Sequence, residues 1–147
     1  MSNPYDLDRF VEAQDQRAGV TTLYEQALDE LRAGRKQSHW MWFVFPQLAG
    51  LGSSLMAQKY AIRSREEADA YLTHPLLGSR LLTCVALVQA VGGRSAHEIF
   101  GSPDDMKFRS CLTLFAHAAK DGAVFQSALG KYFGGAFDPE SMRILGV

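Results

Sequence analysis

The sequence has few cysteines and no excess of charge of either sign. Its two cysteines, Cys84 and Cys111, stand far apart in apolar surroundings, without CxxC spacing or a dense cysteine framework. We interpret them as small core residues of a protein from a reducing compartment. The chain has 15 basic and 16 acidic side chains, which gives a net charge of −1. Without a positive field to neutralise phosphates, nucleic acid is not an expected partner.

Segments that would direct the chain into a membrane or out of the cell are also missing. The N-terminus becomes acidic at Asp6 and has no basic head followed by an apolar stretch, so no secretory signal is expected. The longest apolar runs cover 40–48, which Pro46 interrupts, and 81–91. Both fall short of the about 20 apolar residues that cross a bilayer. We expect a cytoplasmic protein with no membrane partner.

Apolar and aromatic residues are plentiful. Hydrophobic residues make up 47% of the 147 residues, and the aromatics comprise 9 Phe, 5 Tyr and 2 Trp. This composition excludes a disordered chain, which lacks the apolar surface to offset its ordering entropy. The apolar residues recur with the period of an α-helix, and no alternating run is flanked by β-turn residues. We predict an all-α fold: a single compact domain over residues 1–147, with six to eight mostly short helices.

Helix start and stop signals divide the chain. Ser64 with Glu67 and Ser95 with Glu98 match capping boxes, and Ser102 before a proline is a further start signal. The first helix begins near Asp8, with Asp6 or Asp8 as its cap. Further helices or single turns are predicted over 22–34, 38–45, 55–60, 64–72, 75–91, 95–101, 102–120, 123–133 and 139–145.

The segment from Ser38 to Gln47 is the most unusual in the sequence, since it contains both tryptophans together with two Phe. One interpretation is a hydrophobic centrepiece, because aromatic side chains dominate protein cores. However, Trp40 and Trp42 lie about 200° apart on a helix and cannot share one face. At least one of them therefore contacts a different neighbour, which could be a groove. His39 and Gln47 place polar groups near the two ends.

A glycine-rich loop follows directly. Gly50, Gly52 and Ser53 precede a predicted helical turn, and glycines let the backbone turn its amide groups toward one point. Together with a helix start, this arrangement suits an anion such as a phosphate or carboxylate. The alternative is a plain turn with a serine cap. Neither a Walker loop nor a Rossmann fingerprint is present.

The helix after Ser102 carries a polar flank without a carboxylate. Lys107, Ser110, Thr113 and His117 lie beside its core stripe. A face of lysine, hydroxyls and histidine suits contact with an acidic group, whereas the alternative is a solvated flank on which Lys107 pairs with a neighbouring carboxylate.

Other chemistry has little support in the sequence. Four histidines show no i,i+4 pairing with each other or with cysteine, so no metal and no cofactor are expected. Neither a GxSxG elbow nor an activated cysteine is present. Lys59, Arg63 and Arg65 form the only local basic patch that nucleic acid could use.

The chain resembles the uncharacterised, mostly bacterial family known as domain of unknown function 1810. The tryptophan segment and the glycine loop carry this resemblance, together with 8–14, 60–62, 70–80 and 107–115. The resemblance implies an all-α fold and supplies no established activity. Some members carry the label calpastatin, an inhibitor that is a long disordered polypeptide. Two short strings, within 74–80 and 107–110, are also similar to strings in families that process ADP-ribose-type nucleotides.

Our first hypothesis is a pocket for a small phosphate- or ribose-bearing ligand, walled by the Ser38–Gln47 segment. His39 is the candidate general acid or base, because its ordinary pKa lies near neutral pH. Whether a reaction occurs is left open. The alternative is a non-enzymatic module that docks a partner, or a second copy of itself, through the same aromatic segment. The candidate ligand-binding residues are Trp40, Trp42, Gln47, Gly50, Gly52, Ser53, Lys107 and Ser110.

Overall fold

Ten helices and one short hairpin make up the regular structure of residues 4–147, which the computed structural model describes. Strands β1 (Arg17–Ala18) and β2 (Thr21–Thr22) pair antiparallel between the first two helices. The domain is mostly helical, as predicted. The helices are α1 (Asp8–Asp15), α2 (Leu23–Arg32), α3 (Met41–Val44), α4 (Leu55–Lys59), α5 (Arg65–Thr73), α6 (Leu77–Gln89), α7 (Ala96–Phe100), α8 (Asp104–Ala118), α9 (Ala123–Phe133) and α10 (Pro139–Leu145).

The predicted count of six to eight helices is wrong, and the fold is not purely α-helical. The additional elements are short, since α3, α4 and α7 have only four or five residues each. The hairpin escapes prediction because each strand has two residues, too few for an alternating pattern to register. Gly19, at a φ of 71°, supplies the turn between the two strands.

The Ser64 and Ser95 caps are confirmed, although the box at Ser64 closes differently. Ser95 accepts the amide N–H of Glu98, whose side chain accepts the Ser95 amide, as a capping box requires. Ser64 likewise accepts the amide of Glu67. The Glu67 carboxylate, however, accepts the amide of Arg63 instead of the amide of Ser64. It therefore fastens the chain one residue ahead of the cap.

Two other predicted caps are wrong, although α1 begins at Asp8 as predicted. No carboxylate caps α1, because Leu7 occupies its cap position and makes no side-chain cap. Ser102 does not cap α8 either, since Pro103 occupies the position before Asp104. The helix predicted over 38–45 shrinks to α3, because Glu30 holds Ser38 and the Trp40 indole, and Trp40 takes a non-helical φ of −138°.

The aromatic segment lies in the core, around α8. Trp40 and Phe45 are fully buried, and the ring of Phe45 packs against Phe108 at 5.0 Å and Phe100 at 5.8 Å. Helix α8 packs against α5, α7, α9 and α10. Trp42 is the partly exposed exception in this segment. The interpretation of a hydrophobic centrepiece is therefore confirmed for all but one of its large side chains.

Backbone pairing brings the glycine loop beside α8. The amide of Ile62 donates to the carbonyl of Gln47 at 2.9 Å, and the amide of Ala49 donates to the carbonyl of Ile62 at 2.8 Å. A parallel bridge between Leu48 and Ile62 results. This bridge fixes where the loop leaves the core, and the loop then meets the start of α8.

Candidate functional site

A cleft of about 500 Å³ opens between the glycine loop with α4, the first turns of α8 and the start of α10. We call it the α8 cleft. Its volume lies within the range of roughly 300–1,000 Å³ that is typical of small-molecule sites. Polar and apolar residues share its lining, which consists of Gln47, Leu51, Gly52, Ser53, Ser54, Ala57, Pro103, Met106, Lys107, Ser110, Asp138 and Glu140.

The α8 cleft brings together Gln47, Gly52, Ser53, Lys107 and Ser110, all of which the sequence singled out. Among residues 4–147, neither the Gln47 side-chain amide nor the Ser53 hydroxyl has a hydrogen-bond partner. Ser110 donates its hydroxyl to the carbonyl of residue 106 at 3.1 Å. The loop therefore presents an amide and a hydroxyl that remain available to a ligand.

Lys107 supplies the cleft with an ammonium group that the protein holds only loosely. Its Nζ lies 5.4 Å from the centre of the Trp42 ring and 3.5 Å from a carboxylate oxygen of Asp104. The other Asp104 oxygen lies 2.9 Å from Nζ of Lys36, whose side chain is 9% exposed against 27% for Lys107. Because Asp104 pairs more closely with Lys36, the Lys107 ammonium group is only partly neutralised and can pair with an anion.

Trp42 lies behind the α8 cleft and does not line it. Its ring borders a space of only about 10 Å³, shared with Leu48 and Tyr60, which touches the cleft at Gln47 and Gly52. A volume this small accommodates at most a single water. Trp42 therefore contacts the cleft lining through Lys107, whose ammonium group lies over its ring.

The wall of the α8 cleft that the start of α10 provides is acidic, which the sequence did not indicate. Asp138 caps α10: its Oδ2 accepts the amide of Ser141 at 2.9 Å and the Ser141 hydroxyl at 2.7 Å. Its Oδ1 has no hydrogen-bond partner in the described part of the chain. Glu140 receives two bonds from the Arg143 guanidinium, at 2.7 and 2.8 Å, which lower the pKa of Glu140. Asp138 thus provides the unpaired carboxylate oxygen.

The polar flank of α8 divides into two parts. Lys107 and Ser110 line the cleft, whereas Thr113 and His117 contact the protein's own C-terminal segment. Thr113 accepts the amide of Asp138 at 2.9 Å, and the ring of His117 packs 4.7 Å from that of residue 137. Thr113 thus contacts the backbone of Asp138 and not its carboxylate, and Lys107 pairs with Asp104 at 3.5 Å, as in the alternative interpretation of this flank.

Arg109, which the sequence did not single out, fastens the same segment. Its guanidinium donates to the carbonyl of Ala136 at 3.0 Å and to the carbonyl of Phe137 at 2.8 Å. Together with the bond from Asp138 to Thr113, these bonds attach three consecutive residues to one face of α8. The acidic wall is therefore held in place before any ligand arrives.

Besides Trp42, three predicted site residues lie outside the α8 cleft: His39, Trp40 and Gly50. His39 is exposed and does not line the cleft. Trp40 is 0% exposed, and its indole N–H donates to Glu30 at 2.9 Å. Gly50, at a φ of 96°, lies against Ile144 of α10 and serves the turn. These residues shape the segment but do not reach the space that a ligand would occupy.

Glu30 is a structural residue that sequence reasoning missed. Its carboxylate accepts hydrogen bonds from the Gln37 amide, the Ser38 amide and hydroxyl, and the Trp40 indole, at 2.5–2.9 Å. Burial alone would raise the pKa of Glu30, but the bonds from Ser38, Gln37 and Trp40 lower it below its usual value. Glu30 therefore anchors the start of the aromatic segment.

The basic patch does not form a single surface. Lys59 and Arg63 border a separate cavity of about 560 Å³, whereas Arg65 donates to the carbonyl of His117 at 2.8 Å. Arg9 also borders that cavity, and its guanidinium is bound to Glu67 at 2.9 Å and to four backbone carbonyls. Arg9, the most buried cation that lines this cavity, is therefore already bonded within the protein.

Within residues 4–147, no group of three or more His, Cys, Asp or Glu side chains is arranged to hold a metal ion. Burial raises the pKa of Cys84 to about 12 and that of Cys111 well above its ordinary value. Both thiols therefore stay protonated and unreactive. In the same range, no single helix meets the length and hydropathy of a membrane span, and only α5 and α6, bent by 89°, do so as a pair.

The fold and the α8 cleft define a class: a small, mostly helical domain with a mixed polar cleft beside a central helix. The chain matches the family model described as "Protein of unknown function (DUF1810)" over residues 4–145, and it belongs to this family. The resemblance seen in the sequence is thereby confirmed.

A solved relative has the same fold. The chain is 53% identical to the conserved hypothetical protein Rv1873 from Mycobacterium tuberculosis, whose crystal structure superposes with a TM-score of 0.93. The match covers 99% of each chain. No curated protein matches the chain. The comparisons therefore show family and fold and supply no activity.

Proposed function

We propose that the protein binds a small phosphate- or ribose-bearing ligand in the α8 cleft. The observation that carries this proposal is the convergence of Gln47, Ser53 and Lys107 on one cleft of suitable volume. Two of these side chains have no protein partner in the described structure, and the third is a cation shared weakly with Asp104. An anionic group would pair with Lys107 while Gln47 and Ser53 contribute further hydrogen bonds.

The proposal concerns binding and assigns no reaction. No histidine or cysteine lines the α8 cleft within the described residues, and His39, the candidate general base, lies elsewhere. The alternative hypothesis, a docking module, requires the aromatic segment to be exposed. Trp40, Met41, Phe43, Val44 and Phe45 are each at most 3% exposed, so this segment offers little surface to a partner.

Thermal unfolding in the presence of nucleotides, ADP-ribose and sugar phosphates tests the proposal. A ligand at a hundred times its dissociation constant adds about 2.7 kcal/mol of stability. For a chain of 147 residues this corresponds to a rise in Tm on the order of 8 °C.

A matched pair of variants assigns any shift to the cleft. Lys107→Met removes the ammonium group and is expected to abolish most of the ligand-induced rise in Tm, since a charge-assisted hydrogen bond is lost. Lys120→Met removes the same charge from an exposed position outside the α8 cleft and should leave the rise unchanged. If no compound shifts Tm, or if both variants respond alike, the proposed site is wrong.

A further inference from the structure

The lining of the α8 cleft contains both a cation, Lys107, and a carboxylate, Asp138. Lys107 comes from α8, whereas Asp138 comes from the start of α10. A second carboxylate, Glu140, lines the same wall but is occupied by Arg143. A bare phosphate drawn to Lys107 would therefore meet repulsion from Asp138.

From this arrangement we propose that the ligand of the α8 cleft is a phosphorylated polyol of the sugar-phosphate class, which donates hydroxyl groups to Asp138 and presents its phosphate to Lys107. This inference rests on the proposed function and specifies the ligand's chemistry. An ionised carboxylate only accepts hydrogen bonds, so its ligand partner must be a donor. Sugar hydroxyls are such donors, and the phosphate of the same molecule supplies the anion.

The position of Asp138 supports a role beyond capping. Oδ2 alone makes both bonds to Ser141, which leaves Oδ1 without a partner in the described chain. The backbone on either side is fixed, because the Asp138 amide donates to Thr113 and Arg109 holds the two preceding carbonyls. A carboxylate held this firmly needs little reorganisation to accept a hydroxyl group.

The loop side of the cleft fits the same ligand class. Gln47 can both donate and accept through its unpaired amide, and Ser53 adds an unpaired hydroxyl. Apolar residues between the polar groups, such as Leu51 and Met106, provide surface for the carbon skeleton. A molecule with one charged end and several hydroxyl groups satisfies all of these groups together.

Isothermal titration of ribose 5-phosphate, inorganic phosphate and propyl phosphate tests the inference. The wild type should bind ribose 5-phosphate about tenfold or more tightly than propyl phosphate, which has the phosphate but no hydroxyl groups. This comparison needs no variant. Equal binding of the two compounds would overturn the inference and leave the proposed phosphate site intact, whereas failure of all three to bind would contradict the proposed function for this ligand class as well.

Asp138→Asn gives a prediction of opposite sign for two ligands. Asparagine retains the cap and the shape of the wall but removes the charge. Binding of ribose 5-phosphate should weaken about tenfold, whereas inorganic phosphate should bind about threefold more tightly because a repulsive charge is gone. Glu140→Gln is the matched control, since it removes a charge on the same wall that is already paired with Arg143. This variant should weaken the binding of ribose 5-phosphate far less. If Asp138→Asn tightens both ligands, the carboxylate does not accept a hydroxyl group and the inference is wrong.

Discussion

Replacing Glu30 by alanine is expected to destabilise the fold by about 3–4 kcal/mol, with no effect on the lining of the α8 cleft. The indole N–H of the fully buried Trp40 would lose its acceptor, which costs about 1–3 kcal/mol. The bonds from Gln37 and Ser38 to an ionised carboxylate would also be lost. Because water can partly replace those bonds, we count them together as about 1.5 kcal/mol.

Urea unfolding followed by tryptophan fluorescence measures this loss. With a slope near 2 kcal/mol per molar urea, the midpoint should fall by about 1.5–2 M. Asp29→Ala, on the same helix, is the matched control: its ion pair with Arg32 is solvent-exposed on both sides and is expected to contribute less than about 0.5 kcal/mol. Equal midpoints for the two variants would refute the assigned role of Glu30.

Acidification provides a second measurement on Glu30. Its pKa in the folded protein lies below the ordinary value of 4.5, so its contribution to stability is complete above that pH and is lost as the pH falls through the folded value. Glu30→Gln keeps the side chain's shape but cannot titrate. The stability difference between wild type and Glu30→Gln should therefore narrow below about pH 4.5. A constant difference down to about pH 3 would contradict the hydrogen-bonded carboxylate.

Glycine substitutions give two further predictions. Gly78→Ala would place its Cβ 2.0 Å from the carbonyl oxygen of Leu72, so we expect the free energy of unfolding, measured in urea, to fall by more than about 2 kcal/mol. Gly130→Ala has open space around the new Cβ and should stabilise α9 by about 0.5–1 kcal/mol. The reverse order would show that the α5–α6 contact is less tight than described. Gly52→Ala would place its Cβ 2.8 Å from that of Ala57, so this variant should show a smaller ligand-induced rise in Tm. Adding Ala57→Gly removes the clash and should restore the rise. If the double variant shows no recovery, the Gly52–Ala57 contact does not set the shape of the loop.

The sequence predicts most helices because their ends carry local signals. Ser95 with Glu98 begins α7, and Asp138 before a proline begins α10, in both cases as the structure has them. Where the signal depends on distant groups, prediction fails. The helix expected from Ser38 begins only at Met41, because Glu30 on another helix holds Ser38 and the Trp40 indole, and Trp40 has a non-helical φ of −138°.

The candidate site follows the same division. Gln47, Ser53 and Lys107 stand out in the sequence because each belongs to a locally unusual stretch. His39 belongs to such a stretch as well but lies outside the cleft, since the turn around Ser38 points it to solvent. Local composition thus identifies the segments that build the site, and only packing decides which side chains of a segment reach it.

Asp138 shows most clearly what local sequence cannot predict about the site. It also shows how the α8 cleft depends on the rest of the fold. In the sequence it has the pattern of an ordinary helix cap. It joins Lys107 in the cleft lining because α8 holds its segment: Thr113, about one turn beyond Ser110, accepts its amide, and Arg109, between Lys107 and Ser110, binds the two preceding carbonyls. One helix therefore supplies the cation directly and positions the carboxylate at a distance. A change at Arg109 would alter the acidic wall without touching the ligand, so the spacing of the two charges is a property of α8 as a whole.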